Sequence, residues 1–151
     1  MQRKLKKAQL LTKSAILINN LYPSFRSPLE RKYIKSVVSK VMGGEDCGFS
    51  EIIVNFVDKN ELRKINRKFL KHNYYTDIIT FPYNSNKKSI EGELFISPET
   101  VKENGEIYCT GFKRELERVI IHGCLHLSGY KDVTKREKEL IRRKENFYLS
   151  N

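Results

Sequence analysis

Two histidines and an aspartate near the end of the chain have the residue types and the spacing of a metal site. His122 and His126 are four residues apart, so on a helix both imidazoles project from the same face. Gly129 follows three residues later, where a glycine can end a helix in the left-handed conformation and turn the chain back, so that Asp132 can reach the same ion. Two imidazole nitrogens and one carboxylate oxygen are the three protein ligands of a catalytic zinc site. We therefore expect one zinc ion per chain, held by these three residues.

The residue after the first histidine restricts the chemistry of this site. In metalloproteases with the His-Glu-x-x-His signature, the glutamate is the general base, and here Gly123 occupies that position. A metal-polarised water can still attack another electrophile. Cys124 points about 200° away from His122 and is expected to be a buried apolar residue. Two alternatives stay open, namely that Glu115 is the third ligand and that the histidines are only hydrogen-bonded side chains of a core helix.

Caps and apolar periodicity predict the elements that position these residues. Strands are expected at 15–19, 51–57, 77–81 and 92–97, with the last two forming a hairpin. One helix is expected to start at the capping box Ser27 to Glu30, with Pro28 in the first helical position. Further helix starts are expected at Asp58, Ser97 and Thr134. A longer helix with an apolar face is expected over 112–127. Four strands and about five helices without strict βαβ alternation predict an α+β fold, a small mixed sheet in a single domain over residues 1–151.

The composition is that of a globular domain with a strongly basic N-terminal third. Of 151 residues 39% are hydrophobic and 31% charged, and the net charge is +11. Residues 1–44 hold ten Lys or Arg against one acid, which gives +9, and residues 1–14 form a basic lead segment that we expect to be flexible. A one-sided cationic segment favours a polyanionic partner bound through phosphates, although a solvated face is the simpler explanation.

The three cysteines, Cys47, Cys109 and Cys124, form no Cys-x-x-Cys pair, so neither a disulfide scaffold nor a thiolate zinc knuckle is expected. This usage favours a reducing, cytoplasmic setting. No apolar run approaches the roughly 18 residues of a membrane span, so we expect no membrane association.

Beyond these general features, several segments resemble one known family. The run from His122 to Asp132 resembles the metal motif of the YbeY family of zinc-dependent bacterial endoribonucleases, His-Gly-x-Leu-His-Leu-x-Gly-Tyr-Asp-His, and matches it through Tyr130. Residues 76–82, Thr-Asp-Ile-Ile-Thr-Phe-Pro, resemble the family's Thr-Asp-Val-Leu-Ser-Phe-Pro segment, and 92–97 resemble its Gly-Asp-Ile strand. The chain departs from the motif at its end, where Lys131-Asp132 replaces Asp-His. Zinc accepts carboxylate oxygen, so Asp132 is an admissible third ligand.

A second departure concerns a cation. Family members commonly carry Asn-x-x-Tyr-Arg ahead of the Thr-Asp segment, with an arginine important for activity, whereas residues 66–70 place Leu70 at that position. Other side chains nearby can contact phosphate, although a solvated helix face is the simpler role for each. His72 is the one suited to proton exchange near neutral pH. The predicted RNA-binding residues are Arg63, Lys64, Arg67, Lys68 and Lys71, and the predicted catalytic residues are His122, His126 and His72.

The resemblance implies a substrate that the composition alone does not. It implies a single-strand-specific, zinc-dependent endoribonuclease that acts in ribosomal RNA maturation, at the 3′ end of 16S rRNA, and in ribosome quality control, with small-subunit ribosomal proteins as possible partners. Two other classes stay open. One is a non-catalytic assembly factor that uses zinc to hold its fold and binds RNA, and the other is a metal hydrolase of another substrate class.

Overall fold

A computed structural model describes residues 14–150 of the chain. This part of the chain forms four strands and five helices. In chain order they are β1 (Ala15–Asn20), α1 (Arg31–Gly44), β2 (Phe49–Phe56), α2 (Lys59–Leu70), β3 (Ile78–Pro82), β4 (Ile90–Ile96), α3 (Pro98–Ile107), α4 (Phe112–Leu127) and α5 (Lys135–Ser150). None of these helices is both long and apolar enough to cross a bilayer. The predicted lead segment lies almost entirely outside the described residues.

The four strands form one mixed sheet in the order β1-β2-β4-β3. Strands β1, β2 and β4 run parallel, and β3 pairs antiparallel with β4 as the expected hairpin. The register places Ile18 opposite Val54 and Val54 opposite Leu94. Residues that are paired across neighbouring strands point to the same face of the sheet. Ile18, Val54 and Leu94 therefore form one continuous apolar row on that face. The predicted α+β fold with a small mixed sheet is confirmed.

Helices cover both faces of the sheet. The main core joins one sheet face to α1 and α4, and its fully buried members include Ile34, Ile52, Leu94, Leu116 and Ile120. On the opposite face a smaller cluster packs α2 against the hairpin through Val57, Leu62 and Ile79. Consecutive residues of a strand point to opposite faces, so β4 contributes to both clusters. The hairpin is therefore held between α4 and α2.

Most of the predicted helix starts are confirmed, and one is wrong. The carboxylate of Asp58 accepts hydrogen bonds from the amides of Asn60 and Glu61, and the Ser97 hydroxyl accepts one from Thr100. Thr134 and Glu137 form a reciprocal capping box at the start of α5.

The predicted capping box with Pro28 at the first helical position is the wrong one. Helix α1 begins only at Arg31, with Glu30 at the N-cap and no side-chain cap. The Ser27 hydroxyl instead accepts from the Leu29 amide and donates to the Leu29 carbonyl, at 3.1 and 2.7 Å. Ser27 therefore stabilises a local turn, which anchors the buried Leu29 before the helix begins.

Two glycines allow α4 to approach the sheet closely. A Cβ atom at Gly123 would lie 2.7 Å from the Ile78 side chain and 2.8 Å from the Leu94 side chain. A Cβ at Gly92, on β4, would collide with the Leu127 side chain. Carbon atoms do not approach one another this closely, so larger residues at either position would push the helix outward. Helix α4 is thus fixed against the hairpin along its C-terminal half.

A partly buried carboxylate joins the end of α1 to α5 and to the turn that follows α4. Glu45 accepts hydrogen bonds from the hydroxyls of Tyr130 and Tyr148, at 2.6 and 2.5 Å, and from the Lys144 ammonium at 3.0 Å. Burial alone would raise the pKa of Glu45, but these donors outweigh it, and the pKa lies below the ordinary value of 4.5. The ionised carboxylate therefore holds α5 and the segment after α4 against α1.

We expect Glu45→Gln to destabilise the fold by about 1–3 kcal/mol at pH 7, because a charge-assisted hydrogen-bond network loses its acceptor charge. The folded pKa of Glu45 is lowered, so its contribution is present above the unfolded pKa and is lost as the pH falls through the folded pKa. Urea unfolding at pH 7 and pH 3 measures this. Glu106→Gln, at an exposed position, is the control. An equal destabilisation by Glu45→Gln at both pH values would contradict the assignment.

Candidate metal centre

The two histidines project from the last turns of α4, as their spacing predicts. Their rings lie 4.5 Å apart between centroids, and the two Nε2 atoms are 2.9 Å apart. Both side chains are partly buried and line a cleft. The close packing of α4 at Gly123 fixes the distance between the histidine-bearing end of the helix and the hairpin.

The turn after α4 brings in the aspartate. Gly129 has a φ of 104°, in the left-handed region that favours glycine. The Gly129 amide donates to the His126 carbonyl at 3.0 Å and the Tyr130 amide to the Leu125 carbonyl at 3.0 Å, the two bonds of a Schellman motif. The reversed chain places Asp132 Oδ2 at 3.3 Å from His126 Nε2 and 3.5 Å from His122 Nε2. The predicted turn and the convergence of all three residues are therefore present.

The donor atoms fit a metal ion. Among the described residues these three form a His, His, Asp group whose donor atoms lie within 4.8 Å of one another. With bonds of about 2.0–2.1 Å, the ligand atoms of a tetrahedral site are about 3.3 Å apart. The two distances to Asp132 match this value, and the distance between the nitrogens is a few tenths of an ångström shorter. The group can hold a metal ion with a small outward movement of one ring.

The other nitrogen of each imidazole, Nδ1, already makes a hydrogen bond. His122 Nδ1 lies 2.6 Å from Glu145 Oε1, and His126 Nδ1 lies 2.9 Å from the carbonyl oxygen of Tyr130. A proton on each Nδ1 would satisfy these acceptors and leave both Nε2 lone pairs free to bind a metal ion. Metal-binding histidines usually donate their second nitrogen in this way, which fixes the ring and raises its basicity.

Sequence reasoning missed Glu145, a buried residue of α5. Its second oxygen accepts from Arg118 at 3.1 Å. Burial alone would raise the pKa of Glu145, but His122 and Arg118 lower it, and the carboxylate stays ionised. Burial alone would lower the pKa of His122, but Glu145, Asp132 and Asp77 raise it above its ordinary value. The spacing of 23 residues from His122 gives no local signal for this contact.

Two cavities border His122. One, of about 390 Å³, is a cleft lined by all three residues of the metal group together with Leu70, Thr76 and residues of β3. The other, of about 420 Å³, lies between α3, α4 and α5 and includes Arg118, Arg142 and Glu145. Asp77 lines both cavities, and burial raises its pKa although the charge of His122 opposes this. A carboxyl group of this kind beside a metal site is suited to proton transfer.

The remaining candidates on α4 have other roles. Cys124 is fully buried and burial raises the pKa of its thiol to about 12, as expected for an apolar core residue. Glu115 accepts from the Thr110 hydroxyl at 3.1 Å and lies 4.0 Å from Arg118, outside the metal group. At Gly123 a glutamate would have to enter the apolar contact with Ile78 and Leu94. The packing of the helix therefore leaves no room for the base of a His-Glu-x-x-His peptidase.

The cations predicted to bind RNA lie on α2 and at its C-cap, outside both cavities. Lys64, Arg67, Lys68 and Lys71 are exposed, and Arg63 is half-buried. His72 is exposed, with Nδ1 3.0 Å from the Tyr74 hydroxyl, and it does not line either cavity beside His122. Leu70, which the motif comparison predicts to stand in place of an arginine, does line the cleft. Catalytic and RNA-binding roles for these residues stay predictions.

The fold and the site together define a class: an α+β protein with a possible three-residue metal centre on a helix and the turn that follows it, beside an open cleft. The family model described as Endoribonuclease YbeY matches residues 24–151. The chain belongs to the Endoribonuclease YbeY family, so the family expected from the sequence motifs is confirmed.

Individual relatives agree with this. The Endoribonuclease YbeY of Cytophaga hutchinsonii is 43% identical over 121 residues, which cover 80% of this chain and 85% of that one. That of Chlorobium limicola is 39% identical over 130 residues, which cover 86% and 90%. The solution structure of TM1509 from Thermotoga maritima superposes with a TM-score of 0.62 at 24% identity and covers 90% of this chain and 87% of that chain. This last similarity supports the fold alone.

We expect Glu145→Gln to weaken the binding of a divalent metal about 10- to 100-fold, because His122 loses the carboxylate that fixes its ring and raises its basicity. Glu139→Gln, at an exposed position of the same helix, is the matched control and should bind as the parent does. Titration with cobalt(II), followed by its visible absorption, gives the dissociation constants. Parent-like affinity in Glu145→Gln would show that the contact with His122 does not support the site.

Proposed function

We propose that this protein is a zinc-dependent endoribonuclease that cleaves single-stranded RNA during ribosomal RNA maturation. The observation that carries the proposal is the convergence of His122, His126 and Asp132 in a cleft of a chain that belongs to the Endoribonuclease YbeY family. Zinc is the proposed ion because two imidazole nitrogens and one carboxylate oxygen form a usual ligand set of catalytic zinc. The proposed substrate class follows from the family's name.

The residues of the cleft have distinct proposed roles. His122, His126 and Asp132 hold the ion, and Glu145 orients His122. When bound, zinc supplies a Lewis acid that stabilises negative charge developing on a phosphoryl oxygen. Asp77 is the carboxyl group that takes or returns a proton at the cleft. The exposed cations of α2 hold the flanking phosphates, which gives affinity without sequence specificity.

The finer biological setting belongs to the same proposal. We propose processing at the 3′ end of 16S rRNA and ribosome quality control as the processes, small-subunit ribosomal proteins as partners that deliver the substrate, and the cytoplasm as the location. The absence of the arginine at Leu70 favours one second candidate, a zinc-stabilised assembly factor that binds RNA without cleaving it.

A cleavage assay separates these functions. We expect the zinc-loaded protein to cut a fluorescent single-stranded RNA, to lose this activity in EDTA, and to regain it when one equivalent of zinc is restored. His126→Ala should be inactive because it removes one of three ligands, whereas His72→Ala reports whether His72 takes part. RNA binding by the zinc-loaded protein without cleavage would favour the assembly factor. A metal content well below one ion per chain that added zinc does not raise would contradict the proposed site.

The third ligand gives a second test. Asp132→Ala should bind zinc about 10- to 100-fold more weakly and retain the fold, since one donor is lost from an exposed turn. Asp132→His should retain zinc, because imidazole is also a zinc ligand, and Asp132→Asn should be intermediate because it loses only the charge. Competition with a chromophoric chelator gives the constants, and circular dichroism checks the fold. Parent-like zinc affinity in Asp132→Ala would mean that the third ligand is elsewhere.

A further inference from the structure

Three large aromatic side chains remain exposed between α2 and β3. Phe69, Tyr74 and Tyr75 are 58%, 55% and 46% exposed. They lie within seven consecutive residues, at the end of α2 and in the loop that follows it. We call these three side chains the aromatic platform. Exposed aromatic rings grouped in this way are typical of binding surfaces.

Two cationic side chains and a histidine ring lie against the rings of the platform. Arg63 Cζ is 4.9 Å from the centroid of the Tyr75 ring, and Lys68 Nζ is 5.2 Å from that of Phe69. The His72 ring stacks on Tyr74 with centroids 5.2 Å apart and an interplanar angle of 20°. Residues 59–76 carry six Lys or Arg against one Glu, a net charge of +5. This charge complements a polyanion and disfavours a basic protein partner.

The two tyrosine rings are held in place by their hydroxyl groups, and the phenylalanine ring is held by packing. The Tyr75 hydroxyl donates to Asn60 Oδ1 at 3.0 Å, and the Tyr74 hydroxyl lies 3.0 Å from His72 Nδ1. Phe69 packs edge-on against Phe81 with centroids 5.6 Å apart. Rings with fixed orientations lose little conformational entropy when a ligand stacks on them. The platform is therefore organised before any ligand binds.

The chain segment that carries the platform is connected at both of its ends to residues of the metal cleft. Leu70, next to Phe69, and Thr76, next to Tyr75, both line the cleft that contains His122, His126 and Asp132. A nucleic acid strand with one phosphate in the cleft therefore has neighbouring nucleotides beside the platform. Alternating rings and cations are the features by which proteins hold single strands, through base stacking and backbone contacts.

We infer that the aromatic platform binds the unpaired bases of the RNA strand that enters the cleft, by stacking on Phe69, Tyr74 and Tyr75. The inference rests on the proposed endoribonuclease function and gives it a physical basis for strand selection. Bases in a duplex have both faces covered by their neighbours, so only unpaired bases can stack on the rings. Every base has such a face, so the platform selects single strands with little sequence preference.

Binding measured without cleavage tests the inference. We expect Tyr74→Leu/Tyr75→Leu to bind a single-stranded RNA 12-mer about tenfold or more weakly than the parent, by fluorescence anisotropy in EDTA. Its affinity for the matching duplex should not change, and the salt dependence for the single strand should be retained because the cations remain. Tyr74→Phe/Tyr75→Phe keeps the rings and loses only the hydroxyls that orient them, so it should lose much less affinity for the single strand than the double-leucine variant does. Tyr33→Leu, an exposed tyrosine of α1, is the matched control.

An abasic strand isolates the contribution of the bases. The parent should bind a 12-mer with abasic central positions about as weakly as the double-leucine variant binds the normal strand, and the variant should not distinguish the two strands. Equal losses for single strand and duplex, or parent-like binding by the variant, would overturn the platform.

Cleavage by the zinc-loaded parent, measured separately, tests the proposed function itself. An active parent with a variant that binds normally refutes the platform alone. Selective loss of binding in the variant, with a parent that does not cleave, refutes the endoribonuclease function and leaves the platform as a single-strand RNA-binding surface.

Discussion

The left-handed turn at Gly129 is the constraint on which the candidate metal centre depends. Helix α4 alone presents two imidazoles, and the third donor reaches them only because the chain reverses immediately after the helix. The same turn directs the Tyr130 carbonyl to His126 Nδ1 and the Tyr130 hydroxyl to Glu45. Tyr130, the residue after the glycine, therefore fixes the His126 ring and ties the turn to the end of α1. The geometry of the site is continuous with the packing of the helices around it.

How much could be predicted from the sequence depends on the range of each interaction. The caps at Asp58 and Thr134, the turn at Gly129 and the metal group involve residues close in the chain, and their patterns predict them. Glu145 and Glu45 meet their partners through the packing of α5, and no local pattern marks either residue. The start of α1 was wrongly predicted because the Ser27 hydroxyl bonds within its own turn, a choice that the capping-box pattern does not reveal.

Negative charge is concentrated around the two histidines of the site, whereas positive charge lies outside the cleft. Asp77, Asp132 and Glu145 surround the histidines, whereas the cations of α2 lie outside the cleft. An RNA phosphate is attracted by the cations of α2 but repelled by the carboxylates around the two histidines. A divalent cation in the proposed site offsets this repulsion, so the binding of metal and of phosphate at the cleft should be mutually favourable.

The three donor residues also lie within eleven consecutive residues, from His122 to Asp132. The entropy lost on closing a loop grows with its length, so even an unfolded chain can gather these donors around an ion at low cost. The metal affinities of the folded and unfolded chains therefore differ less than they would for a site that joins distant segments. Metal binding then adds less to the stability of the fold than it would at a site built from distant segments. In the proposed zinc-dependent function, the supply of the metal would then set separately what fraction of the folded molecules can cleave RNA.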